Sequence, residues 1–176
     1  REYIDLVRAL WDSFEDDAFV YDKQNARFFD PTKMHVLNHQ GERFSVRGPL
    51  NVNRSPQGRP VIAHLLTTED YALAAEFGEV VLLQETSGEG TVEAVQLFEA
   101  ALEAAGRSRG DVRLLSNVVP FAAATREMAQ EQYDSLQSID SGGPAGLVPI
   151  GSFTEIADAL QTWQTVAKVD GFTILP

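Results

Sequence analysis

The chain has 176 residues, a net charge of -12 at pH 7 and an isoelectric point near 4.6. Its 44 % hydrophobic and 23 % charged residues are those of an ordinary globular domain with a real core, and its acidic residues are scattered, so the field repels phosphate backbones and anionic lipids. That argues against nucleic acid and membrane as partners, and the absence of cysteine removes disulfides, thiolate nucleophiles and Cys-based metal sites together.

Ile4, Val7, Leu10, Trp11 and Phe14 recur at helical spacing from the first residues onward, with no capping residue before them, so the opening helix reads as cut. It is acidic and amphipathic, unlike a signal peptide, and no apolar run in the chain is long enough to cross a bilayer. A soluble, cytoplasmic protein is the expectation. A long irregular excursion follows over about 18–59, with Phe28-Phe29-Asp30-Pro31, a short strand at 44–47, and the breakers Gly48-Pro49 and Ser55-Pro56-Gln57-Gly58.

Regular order then sets in. Residues 60–63 read as a buried strand, Thr67 and Asp70 stand at capping-box-like spacing, and a helix covers 71–77. Residues 79–83 form a second strand; Val92, Val95, Phe98, Ala101, Leu102 and Ala105 mark its helix, stopped by Gly106. A third strand begins at 112–115 and runs on toward 118–119. Thr125 caps a helix with Met128, Leu136 and Ile139 on one face, and 141–146 is a breaker cluster. Ser152-Phe153-Thr154-Glu155 is a capping-box pattern before a helix carrying Ile156, Leu160 and Trp163, and 171–176 reads as a last strand. Trp11 and Trp163 are packing residues.

Four strands alternating with helices imply a parallel sheet with right-handed crossovers, either an open doubly wound sheet or part of an eight-stranded barrel. Periodicity does not choose between them. No H-x-x-x-H or other metal spacing occurs with the three histidines, and there is no P-loop or G-x-G-x-x-G, so neither a metal site nor a nucleotide motif is expected.

The stretch from His39-Gln40-Gly41-Glu42-Arg43-Phe44 through Arg47-Gly48-Pro49-Leu50-Asn51-Val52, continued by Arg54-Ser55-Pro56-Gln57-Gly58-Arg59-Pro60, resembles a signature of the bacterial-luciferase-like flavin monooxygenases. The branch it is most similar to contains the nitrilotriacetate and dibenzothiophene-sulfone monooxygenases. Leu10-Trp11-Asp12-Ser13, Glu155-Ile156-Ala157-Asp158-Ala159-Leu160 and Asp170-Gly171-Phe172 look like the same branch in the same order. The resemblance spans nearly the whole chain and implies the C-terminal half of a TIM-like (β/α)8 barrel: one partial domain over 1–176 with four parallel strands, their helices and the long excursion.

That resemblance also implies an activity, the oxidation of a small organic substrate with dioxygen activated by reduced FMN, which a separate flavin reductase supplies. The alternative is a half-barrel remnant that oligomerises without flavin chemistry. Two exposed strand edges would favour a homo-oligomer in either case.

In the family, the strand matching 60–63 leads into a Gln-Ala-Gly-x-Ser loop that holds the FMN phosphate. Here it reads His64-Leu65-Leu66-Thr67-Thr68. By resemblance Thr68, helped by Thr67, contacts the phosphate; Leu66 stands at the glycine position, and His64 replaces the Gln. Read as residues alone, Thr67 and Thr68 suit a plain helix cap better than a ligand site, and the resemblance sets the two readings level. Arg47 and His39, on the excursion, are candidates for binding an anionic substrate group. Glu85, after the second strand, is read as a surface carboxylate. No catalytic acid or base is assigned.

Overall fold

The computed structural model describes residues 1–139 and 143–175. Ser141 and Gly142 of the expected breaker cluster, and Pro176 of the expected last strand, lie outside the described residues. The chain divides into two compact units, 1–61 and 62–176.

The first unit opens with helix α1 (Glu2–Trp11), which has no side-chain cap and buries Leu6. The segment expected to be irregular is two hairpins. Strand β1 (Phe19–Asp22) pairs antiparallel with β2 (Arg27–Phe29), and β3 (His39–Gln40) with β4 (Ser45–Val46). Phe14, Phe19 and Phe29 form the cluster that holds the first hairpin, with the Phe14 and Phe19 rings 4.8 Å apart. Its turn closes on Asp22, whose carboxylate accepts from the amides of Gln24 and Asn25. The second hairpin closes on Glu2, whose carboxylate accepts from the amides of Arg43 and Phe44 at 3.0 and 3.1 Å.

The second unit is the parallel succession that the sequence leads one to expect. Strands β5 (Ala63–Leu65), β6 (Val80–Leu83), β7 (Arg113–Val118) and β10 (Gly171–Ile174) form one sheet in the order β10-β7-β6-β5, with every pairing parallel. Helices α2 (Tyr71–Phe77), α3 (Gly88–Ala104) and α5 (Phe153–Ala167) supply the crossovers. Register sorts the side chains into two faces, because partners in a parallel ladder point the same way. Val81, Leu83 and Leu114 face the helices and are buried with Ala74, Ala75, Phe98 and Leu102 in the core. Leu65, Leu82 and Leu115 share the other face, where Leu65 is 45 % exposed.

Between β7 and α5 the chain adds a parallel pair not foreseen from the sequence, β8 (Phe121–Ala123) with β9 (Ile150–Ser152), and helix α4 (Arg126–Gln137) packs against both. Gly146 passes so close to β7 that a Cβ there would lie 2.3 Å from the Asn117 carbonyl oxygen. Both expected caps of this region are present. Thr125 accepts from the Met128 amide, and Ser152 and Glu155 close a complete capping box on α5.

Three expectations are corrected. The first strand of the sheet lies at 63–65, not 60–63. Pro60 has no N–H to give a ladder, and the Ile62 amide goes to the Glu79 carboxylate at 2.8 Å instead. The helix expected from Val92 starts at Gly88, under a Ser87 cap that accepts from the Gly90 amide; two glycines in its first turn hid the start. The apolar stripe of α4 is not its packing face: Met128, Leu136 and Ile139 are exposed, while Ala129 is buried and Tyr133 stacks edge-on against Phe121 at 5.0 Å.

Candidate functional site

In parallel α/β architecture, sites form beyond the carboxyl ends of the strands. At β5 that place is the loop 66–70. Leu66 donates its amide to the Leu82 carbonyl at 2.9 Å, which continues the ladder one residue past the strand. Its φ is negative and its side chain is 6 % exposed, in the core with Ala74 and Leu83. Leu66, which by resemblance takes a glycine's place, therefore turns inward and does not fill the loop's outer surface.

That outer surface belongs to Thr67 and Thr68, both exposed. The Thr67 amide donates to Asp70 Oδ1 at 2.9 Å, so the expected Thr67/Asp70 contact is made, with Asp70 as the residue preceding α2. The amides of Thr68 and Glu69 have no hydrogen-bond partner in the chain among the described residues. The Thr68 hydroxyl and the free amides of Thr68 and Glu69 thus stand on one short loop, while Thr67 supports Asp70 through its amide and its hydroxyl. Because α2 is only seven residues long, these groups, and not a helix dipole, are what the loop can offer an anion.

His64 occupies the middle of β5. It is in register with Val81 and Leu114, on the face turned to the helices, and its Nε2 lies 3.2 Å from Asp70 Oδ2. Burial pushes the Asp70 carboxyl up, but the hydrogen bonds from Thr67 and the pairing with His64 outweigh it and hold the group below the usual carboxylate range. The loop's acid is therefore ionised at neutral pH, with Oδ1 accepting from the Thr67 amide and Oδ2 beside the buried His64 Nε2, whose geometry falls short of a hydrogen bond. Beyond it, burial and then the charges of Glu85, Glu93 and Asp70 raise the phenol of Tyr71, which stays protonated.

Asn117 escaped the sequence reading. It is 4 % exposed and in register with Thr173, on the sheet face of Leu82 and Leu115. Its Nδ2 donates to the Ala145 carbonyl at 3.3 Å, while Oδ1 is buried with no partner. The signal was there in the form of a polar pair, Ser116-Asn117, inside the apolar run of β7.

The other two candidates lie in the first unit. Arg47 is exposed at the end of the β3–β4 hairpin, its carbonyl accepting from the Asn38 amide at 2.9 Å. His39 is half-buried, and its Nε2 lies 3.0 Å from Glu2 Oε1. The His39 contact, with the amides of Arg43 and Phe44, lowers the Glu2 carboxyl against the opposing effect of burial. The ring nitrogen proposed from sequence for an anion is thus engaged by a carboxylate. Among the described residues, no cluster of His, Asp or Glu could hold a metal ion, and no helix is long and apolar enough to cross a membrane.

Comparison with known proteins bears on the fold and the family. The chain is 42 % identical over 140 residues to N-acetyl-S-(2-succino)cysteine monooxygenase of Bacillus subtilis (strain 168), covering 79 % of this chain and 32 % of that protein. It is 36 % identical over 168 residues to dibenzothiophene-sulfone monooxygenase of Rhodococcus erythropolis, covering 95 % and 37 %. The crystal structure of DmoA from Hyphomicrobium sulfonivorans superposes with a TM-score of 0.87 at 25 % identity, covering 98 % of this chain and 49 % of that one. The chain thus spans about a third of the length of these curated relatives and about half of the solved chain. Between the open sheet and the barrel left undecided by periodicity, the overlay selects the barrel. With the family profile matching residues 1–170, the chain belongs to the luciferase-like monooxygenases.

Proposed function

We propose that this chain supplies the later half of a reduced-FMN-dependent monooxygenase barrel, with Thr68, assisted by Thr67, holding the flavin phosphate. The observation that carries the reading is the loop itself. The exposed Thr68 hydroxyl, with Thr67 beside it, and the free amides of Thr68 and Glu69 stand at the carboxyl end of β5, and Leu66 is turned into the core. This donor set suits a phosphate, since charge-assisted hydrogen bonds from amides and hydroxyls are the ordinary means of holding one. Asp70 opposes it, but its charge is directed at the Thr67 amide and His64.

Bound reduced FMN would supply the reduction of dioxygen that oxidises a small organic substrate. Residues of this chain would bind and orient it. Thr67 and Thr68 fix the phosphate end, and the apolar side chains Leu65, Leu82 and Leu115 line the sheet face that excludes water. Within the first unit the exposed Arg47 is a candidate for binding a carboxylate or sulfonate, and His39 supports the hairpin through Glu2. Relatives named monooxygenases support the reaction class, and a separate flavin reductase in the cytoplasm would provide the reduced cofactor.

A second reading, an oligomeric half barrel without flavin chemistry, is favoured by the acids Glu69 and Asp70 so near the proposed phosphate. Titration with FMN under anaerobic reducing conditions separates the two. Saturable binding that weakens roughly tenfold or more in Thr68→Val, the loss of about 1.5 kcal/mol expected for a hydrogen bond to a charged group, supports the first. No binding by the folded chain supports the second.

A further inference from the structure

The loop after β5 carries an acid that no fixed cation neutralises. Asp70 accepts from the Thr67 amide through Oδ1 at 2.9 Å, and its Oδ2 faces His64 Nε2 at 3.2 Å. Among the described residues no lysine or arginine is paired with it. The carboxylate is also close to where an anion would sit. Thr68 and Asp70 are two residues apart and so at most about 7 Å from each other along the chain, inside the Debye length of about 8 Å at physiological salt. A phosphate on the free amides of Thr68 and Glu69 therefore shares one short turn with a negative charge.

His64 is the group placed to offset that charge. Its ring is mostly buried on the helix-facing side of β5, and Nε2 has no hydrogen-bond partner although it lies beside Asp70 Oδ2. A neutral imidazole short of hydrogen-bond geometry takes little of a carboxylate's charge, whereas an imidazolium at that distance forms an ion pair with it. The other charged groups around this corner of the sheet are acids. Glu85, beyond β6, and Glu93, on α3, together with Asp70 add to burial in raising the Tyr71 phenol at the start of α2. Glu79, before β6, holds the Ile62 amide. Nothing cationic competes with His64 for Asp70.

We propose that His64 is a positioning residue that sets the charge of the phosphate loop: protonated, it cancels Asp70 and admits the phosphate; neutral, it leaves the carboxylate to repel it. The inference rests on the reading of this loop as the phosphate site. It makes binding of the phosphate and protonation of His64 reciprocal, each favouring the other. Histidine is the side chain whose charge changes near neutrality, so the coupling falls within the working range of the protein. FMN affinity then rises as pH falls through that range.

The test is the ratio of riboflavin to FMN dissociation constants at pH 8 and pH 6, measured on the chain and on His64→Gln. Glutamine keeps a side-chain N–H in reach of Asp70 but does not titrate. A phosphate monoester itself takes up a proton near pH 6, which is common to both chains and cancels in the comparison. The expected result is a rise in the ratio on acidification that is at least fivefold larger in the wild-type chain than in His64→Gln. Asp70→Asn, whose side-chain oxygen still accepts from the Thr67 amide, is expected to bind FMN five- to tenfold more tightly than wild type at pH 8 and to show a smaller pH response. Equal pH responses in wild type and His64→Gln overturn the proposal, as does an Asp70→Asn affinity at pH 8 no better than wild type. If FMN is preferred over riboflavin while the pH responses are equal, the phosphate reading stands and the role of His64 alone fails. If there is no preference for FMN at either pH, both fail.

Discussion

The residues of the 66–70 loop show how far chemical identity and orientation part company. That Thr67 and Thr68 stand just after a strand is legible in the sequence, because strand ends and hydroxyl-rich turns are local signals. That Leu66 points into the core and His64 toward the helices is not, because in a strand of three residues a shift of one exchanges the faces, and only the register with β6 fixes which applies. The carboxylates give a testable sign. Burial raises Asp70 and Asp170, but hydrogen bonds outweigh it. Asp70 is held by Thr67 and His64, and Asp170 by the Leu114 amide and Arg109, so both folded values lie below the ordinary 3.8. A depressed folded value contributes stability above the unfolded value, and that contribution is lost as pH falls through the folded one. The thermal midpoint should hold steady from neutrality to about pH 5 and fall below 3.8. Asp170→Asn should lower the midpoint at neutral pH and flatten the acid decline. A wild-type midpoint that rises on acidification would contradict the assignment.

At the scale of elements, the helices were readable where their signals are contiguous. Ser152 with Glu155, and Thr125 before α4, announce their starts within four residues, and both caps are made. What could not be read is pairing between short, distant segments. β8 and β9 have three residues each, and their partnership depends on the chain returning across α4. The β1–β2 hairpin has left-handed residues at Tyr21 and Ala26, where no glycine marks the turn. The loop leading into β9 rests on Gly146, whose approach to the Asn117 backbone leaves no space for a methyl group. Gly146→Ala should therefore lower unfolding free energy by about 1–3 kcal/mol in denaturant melts, as overpacking against a backbone does. A substitution with no measurable cost would mean that the loop does not lie on β7 as described.

For the molecule as a whole, the parallel sheet and its barrel character follow from the alternation of strand and helix together with the family, whereas the division into two units at 61/62 had no composition shift to announce it. The sheet has open edges at β5 and β10, since neither has a second neighbour among the described residues, and Leu65, Leu82 and Leu115 give its far face an apolar character. Unpaired parallel edges beside an apolar face favour association. Light scattering on this chain should show a dimer or larger assembly, and a monodisperse monomer across micromolar concentrations would contradict that expectation.

The assignment of the flavin phosphate to Thr67 and Thr68 is tested most directly by comparing FMN with riboflavin, which differ only in the phosphate. If this loop holds that group, FMN binds at least tenfold more tightly than riboflavin, the equivalent of about 1.4 kcal/mol or more, and the difference shrinks in Thr68→Val. Equal affinity for the two, or a preference for FMN that the substitution leaves intact, would contradict it.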